Sequence, residues 1–207
     1  MLKLIGTPRA RTTRVMWALE ELGEEYELVP AFPHSEEIRA VNPAGKVPAL
    51  VVDGTVLLES VAICQFLADR AGQLTFPAGT IERAIQDGYT QFIVDTIEGA
   101  LWNAGKHTFV LPEDKRVPAL KPVLRWEFAR AMQDLEARFG DGPYLMGERF
   151  TIPDILMGHA AGWAKMAKFE LPSGKIGDYL QRIDNRPAVE RMRARIASLE
   201  RPRGQAS

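Results

Sequence analysis

The hydrophobic periodicity of this chain changes once, near residue 72, and that change does more than any motif to limit its folds. Before it, short extended runs alternate with helical ones. Beyond about residue 80 only helical spacing remains, which predicts two domains rather than one mixed core. Lys3 to Thr7 reads as a short strand stopped by Pro8, and Val15, Ala18, Leu19 and Leu22 then recur at helical spacing up to Gly23. Tyr26 to Val29 reads as a second strand, so the first thirty residues make a βαβ unit with a right-handed crossover. Val47 to Val52 and Thr55 to Leu58 flank Asp53-Gly54, a strong hairpin signal, and a helix from about Val61 to Ala71 follows. The expected order over residues 1–72 is βαβ, a loose helical connection around residues 35–42, then ββα.

Residues 73–82 lie in a turn-rich stretch without periodicity and read as a linker, with Leu74 and Phe76 placed to pin the domains together. Residues 83–207 read as all-helical. Ile81, Ile85, Phe92 and Ile97 line one helix, and Leu120, Leu124, Phe128, Leu135 and Phe139 line another, with a loop over 107–118 between them. Thr151, Pro153 and Asp154, flanked by Phe150 and Ile155, form a capping box with a hydrophobic staple, a folding signal with no chemical role assigned. The last helix carries Val189, Met192, Ile196 and Leu199; the arginines from Arg186 to Arg203, interspersed with Glu190 and Glu200, read as a solvated face and tail.

Composition excludes more than it selects. Lys plus Arg is 26 against 27 for Asp plus Glu, so no global charge favours nucleic acid or an anionic membrane. No apolar run approaches the ~20 residues of a bilayer span, and the N-terminus lacks a signal-peptide core. The single cysteine, Cys64, rules out an intrachain disulfide and a thiolate metal cluster; the expectation is a cytoplasmic protein without metal. Cys64 falls inside a predicted helix and reads as core, and His159 lies on an apolar face and reads as a core histidine.

Two segments carry chemistry. In Asn42 to Leu50, Pro48 directly precedes a strand and cannot donate to a ladder; a cis bond there would turn Val47 so that its N–H and C=O point outward as a template for an extended peptide. In Leu57 to Ile63 a strand gives way to a helix, with Ser60 reading as its N-cap. The helix start offers N–H groups to a carboxylate and Glu59 offers a partner to an amino group, which suits the α-amino acid end of a γ-glutamyl group.

The order Gly45-Lys46-Val47-Pro48-Ala49-Leu50, Asp53-Gly54 and Leu58-Glu59-Ser60-Val61-Ala62-Ile63 resembles the glutathione site of cytosolic glutathione transferases. The first helix, Arg14 to Gly23, and the Phe150 to Asp154 cap resemble theirs too, so the likeness covers nearly the whole chain. The resemblance implies an α/β thioredoxin-like N-terminal domain followed by an all-α domain, glutathione as co-substrate, and a homodimer. It implies that Val47 pairs its backbone with glutathione across a cis Pro48, that Glu59 and Ser60 bind the γ-glutamyl end, and that Lys46 and His34 lie where the glycine carboxylate is met. A hydrophobic electrophile would then sit between the domains near Trp102 and Phe109.

One departure stands out. Members of that family place a Ser, Tyr or Cys at or just before the first helix to activate the thiol, and here Arg9 occupies that place, followed by Ala10 and Arg11. Arg9 or Arg11 can stabilise a thiolate by charge, and Thr7, Thr12 or Thr13 can donate a hydroxyl. Two readings remain open on the sequence alone. One is a transferase that conjugates the glutathione thiolate or uses it to reduce peroxides or disulfides; the other is a transferase-like binding module without turnover.

Overall fold

The computed structural model describes residues 1–200. In β1 (Leu2–Gly6) only Lys3 is half-exposed, and this nearly continuous apolar run suits a strand covered on both faces. It lies inside a four-stranded sheet of order β2-β1-β3-β4. β1 runs parallel to β2 (Tyr26–Pro30) and antiparallel to β3 (Ala49–Val52), which pairs antiparallel with β4 (Thr55–Leu58). α1 (Thr12–Leu22) forms the crossover from β1 to β2 and packs beside α3 (Ser60–Ala71). Leu4 and Ile5 point to opposite faces, and Ile5 packs with Ala31, Ala49 and Ile38 of the single-turn α2 (Glu36–Arg39). The predicted βαβ-ββα order is the observed one.

By contacts the chain divides into two units, Met1–Gln73 with the segment from Asn185 onward, and Leu74–Asp184. α9 (Pro187–Glu200), part of the 83–207 stretch that the sequence reading takes as helical, falls by contacts in the first unit, packed on α1. Charge explains this placement. Arg186 forks onto Glu21 at 2.6 and 2.7 Å, while Arg195 Nε donates to Glu20 at 3.0 Å and Arg191 to the Glu20 carbonyl at 2.6 Å. Glu20 is almost fully buried and also accepts from the Tyr26 hydroxyl at 3.2 Å; a desolvated carboxylate persists only with such partners. Arg191 and Arg193 keep the exposed position expected of the helix face, Arg186 and Arg195 are partly covered where they meet Glu21 and Glu20, and Arg201 and Arg203 lie outside the described residues.

In the second unit α4 (Ile81–Phe92) runs through a π-helical turn (Ile93–Ile97) into α5 (Glu98–Gly105) and a second π-helical turn (Lys106–Val110). The expected loop over 107–118 is shorter than predicted and carries 3-10 turns at Glu113–Lys115 and Pro118–Leu120. α6 (Lys121–Arg138), α7 (Ile152–Met166) and α8 (Gly174–Asp184) complete the unit. Part of the expected linker is tied into it: Leu74 O accepts from Ile152 N at 2.9 Å, and fully buried Gln86 holds both Phe76 N and Thr75 Oγ1 at 3.0 Å. The capping box of α7 forms as expected, with the Asp154 carboxylate accepting from Thr151 N at 2.8 Å and Thr151 Oγ1 at 3.1 Å. Among the described residues no helix is long and apolar enough to cross a membrane.

Candidate active site

Strand register alone brings the chemistry-bearing segments of the first unit to one end of the sheet. Ile5 pairs with Ala49 and Ala49 with Leu58, while Gly6 pairs with Pro30. The loop after β1, the segment following β2, the Val47-Pro48 step before β3 and the Glu59-Ser60 step after β4 therefore share that end. These are the segments that hold Arg9 and Arg11, His34, Lys46 and Val47, and Glu59 and Ser60.

The Val47-Pro48 peptide bond is cis. Among the described residues neither the N–H nor the C=O of Val47 takes part in a hydrogen bond. The approach to it is rigid: buried Asn42 donates to the Lys46 carbonyl at 2.9 Å and accepts from Ala44 N at 3.1 Å. His34 N donates to Gly45 O at 2.7 Å, and Arg39 donates to the His34 carbonyl at 3.0 Å, so exposed His34 and Lys46 stand on neighbouring, braced turns. Gly45, at φ 67, has no room for a Cβ against His34. Arg39 is the cation at this end that the sequence reading does not single out.

The helix start differs in detail from expectation. Ser60 is the first residue of α3, and the cap position is Glu59, at φ 66 and ψ 112. A non-glycine residue at positive φ is a strained conformation of the kind that gathers at binding sites, and here it holds the Glu59 side chain exposed while Ser60 turns inward. The Ser60 hydroxyl accepts from Arg14 Nη1 at 3.3 Å. Arg14 is 1% exposed and is the site's missed residue; the sequence shows it only as the start of an amphipathic helix. Its guanidinium lies beneath the first turn of α3 and adds to the positive potential there.

The loop between β1 and α1 narrows the candidates for thiol activation. Thr12 is fully buried and its hydroxyl has no partner, so it is withdrawn from direct contact with a bound molecule, contrary to its place among the expected catalytic residues. The Thr13 hydroxyl is spent on the carbonyls of Pro8 and Ala10 at 2.7 and 2.9 Å, and Thr7 is buried and accepts from Arg9 N at 3.4 Å. Arg9 is exposed and Arg11 half-buried on the same turn. A protein thiol offers no substitute: Cys64 is completely buried, and burial pushes its thiol up to about 12 despite the pull of Arg14. The Tyr26 hydroxyl is raised by burial too, and engaged by Glu20.

In the helical unit Trp102 meets Trp163 edge to face at 6.1 Å, and His159 meets Trp163 at 6.3 Å. A side chain on Gly105 would fall against both Trp163 and Phe109, and Phe109 is 65% exposed. Trp102 and Phe109 thus belong to one aromatic surface with Trp163 and the half-buried His159, which the spacing from Ile155 had placed in a core.

Residues 10–70 match the family model described as the glutathione S-transferase N-terminal domain, and residues 102–200 match the one described as its C-terminal domain. The chain is 30% identical over 199 residues to glutathione S-transferase GstA of Escherichia coli O157:H7, covering 91% of this chain and 96% of that one. A solved glutathione transferase from Methylococcus capsulatus superposes with a TM-score of 0.80 at 30% identity, covering 96% of this chain and all of its own. BphK, a bacterial glutathione transferase solved as a ternary complex, superposes with a TM-score of 0.84 at 26% identity, over 94% of this chain and 99% of its own.

Proposed function

Because the chain belongs to the glutathione S-transferase family, and is a transferase by that membership, we propose that its first unit holds glutathione at the end of the sheet where Val47, Glu59 and Ser60 meet. The observation that carries this reading is the pair of unbonded Val47 backbone groups beside the start of α3. The cysteinyl backbone of glutathione pairs with Val47, its γ-glutamyl carboxylate meets Ser60 and the first N–H groups of α3, and its amino group meets Glu59. Lys46 and His34 take the glycine carboxylate. The thiolate sulfur attacks an electrophilic carbon, a C–S bond forms, and the leaving group departs with its electron pair; the same thiolate can reduce a peroxide or a disulfide. The aromatic surface of Trp102, Phe109 and Trp163 receives the apolar body of the second substrate. Calorimetric titration with glutathione and a conjugation assay across several electrophile classes test the reading; absence of both binding and turnover would refute it.

With the nearby hydroxyls buried or committed, Arg9 and Arg11 supply the charge that favours thiolate. Replacing either with methionine is expected to move the pH midpoint of conjugation toward alkaline values, by up to about one unit for ~1.4 kcal/mol of lost stabilisation. Retention of both rate and midpoint in the double variant would assign activation to the helix dipole and backbone amides instead.

The same reading makes the protein a two-fold homodimer working in detoxification in the cytoplasm. Ile81 and Ile85 present an exposed apolar edge on α4, and Phe92 lies under the Arg138 guanidinium at 4.1 Å. Sedimentation at micromolar concentration is expected to show a dimer, shifted to monomer by Ile81→Glu and Ile85→Glu together; a monomeric wild type would exclude it.

A further inference from the structure

The helical unit contains a cavity of about 290 Å3 between the second π-helical turn and the start of α6; its charged lining is cationic, Arg116 and Lys121, beside His107 and Thr108, whose hydroxyl is spent on the Ala104 carbonyl at 2.7 Å. Ala104, Val117 and Leu124 supply an apolar floor, and no acidic side chain lines it among the described residues. None of the lining residues belongs to the aromatic surface assigned above to the electrophile.

The donors His107, Arg116 and Lys121 are each presented by identifiable geometry. Val117 N donates to His107 Nδ1 at 3.1 Å, which keeps the lone pair there and puts the ring proton on Nε2; Nε2 has no partner among the described residues. Arg116 is fixed by its own donations to the carbonyls of Leu111 at 2.7 Å and Phe109 at 3.4 Å. Glu113 comes within 3.9 Å of Arg116, but from an almost fully exposed position where solvent screens it. Lys121 opens α6, and its ammonium has no partner among the described residues. The wall carrying His107 is the π-helical turn itself, closed by Leu111 N to Lys106 O at 3.0 Å; such turns cost helix stability and recur at functional sites.

We propose that this cavity binds a small organic anion, a carboxylate or sulfonate borne on a single ring or a short apolar chain. The acidic group meets the His107 Nε2–H, Arg116 and Lys121, and the apolar part lies on Ala104, Val117 and Leu124. Its volume of about 290 Å3 is just below the usual range of ligand pockets, roughly 300–1,000 Å3, which limits the ligand to a small one. The site is additional to the glutathione and electrophile sites.

The test is calorimetric titration of the full chain with benzoate and with neutral benzamide, the protein being saturated with S-hexylglutathione so that carboxylate binding at the glutathione end of the sheet is suppressed. Benzoate is expected to fill one site per chain and benzamide to bind at least tenfold more weakly. His107→Gln combined with Lys121→Gln is expected to weaken benzoate about tenfold or more, leaving S-hexylglutathione affinity and the melting temperature unchanged, and Lys121→Arg is expected to retain binding. Equal affinities for the two probes, no benzoate binding at millimolar concentration, or unchanged benzoate affinity in the double variant would overturn the proposal.

Discussion

Replacing Asp154 with alanine is expected to lower the unfolding free energy by about 2–4 kcal/mol, because it leaves several buried neutral donors without an acceptor. The carboxylate is fully buried and accepts from Thr151 N at 2.8 Å, Leu145 N at 3.0 Å, Thr151 Oγ1 at 3.1 Å and the Tyr179 hydroxyl at 2.9 Å. Alanine strands two backbone donors and a completely buried phenol, and each unmade bond in such a place costs about 1–3 kcal/mol. Urea unfolding followed by circular dichroism measures the loss; a change below about 1 kcal/mol would show that the cap is not the keystone of α7.

Asp154 also carries a pH signature. Burial pushes its carboxyl up from 3.8 to about 6, against the hydrogen bonds that lower it. A carboxyl whose folded pKa lies above its unfolded one binds its proton more tightly in the folded state. Its favourable contribution is therefore present below pH ~4 and is lost as pH rises through about 6. Stability measured across that window is expected to fall with rising pH in the wild type relative to Asp154→Asn, which cannot titrate.

The second large effect concerns binding. Ser60→Ala is expected to weaken glutathione about tenfold or more, since a hydrogen bond to a charged group is worth about 1.5–3 kcal/mol and 1.4 kcal/mol is one decade. The hydroxyl accepts from buried Arg14 at 3.3 Å, which leaves its own proton to donate to the γ-glutamyl carboxylate. Because alanine also removes a partner of Arg14, the comparison includes Ser60→Thr, which restores the hydroxyl and is expected to recover most of the affinity. Unchanged glutathione affinity in a folded Ser60→Ala protein would remove Ser60 from the site.

Much of this was legible in the residues because local signals and tertiary demands agree. Asp53-Gly54 marks the hairpin, Pro48 the entry to β3, and Thr151 with Asp154 the start of α7; each depends on neighbours a few residues away. The misreadings share a different cause. Thr12, Arg14, Arg186 and Arg195 look alike as letters, polar residues in or beside helices, and only packing decides which are covered. Arg14 is drawn under Ser60 by the α1 and α3 packing, and Arg186 and Arg195 find Glu21 and Glu20 across more than 160 residues of chain. In α8 the spacing of Ile176, Tyr179, Leu180 and Ile183 marks a helix that Gly174 and Gly177 make hard to delimit, because they weaken its propensity. The shift of the cap from Ser60 to Glu59 rests on a backbone angle that no composition rule reports.

The most direct test follows the thiolate absorbance of glutathione bound to the wild-type protein in the ultraviolet as pH is varied. The expected result is a midpoint well below the ordinary thiol value near 8.5, displaced upward when Arg9 and Arg11 are both replaced. Bound glutathione that titrates at its ordinary value in the wild type would contradict thiol activation by this loop.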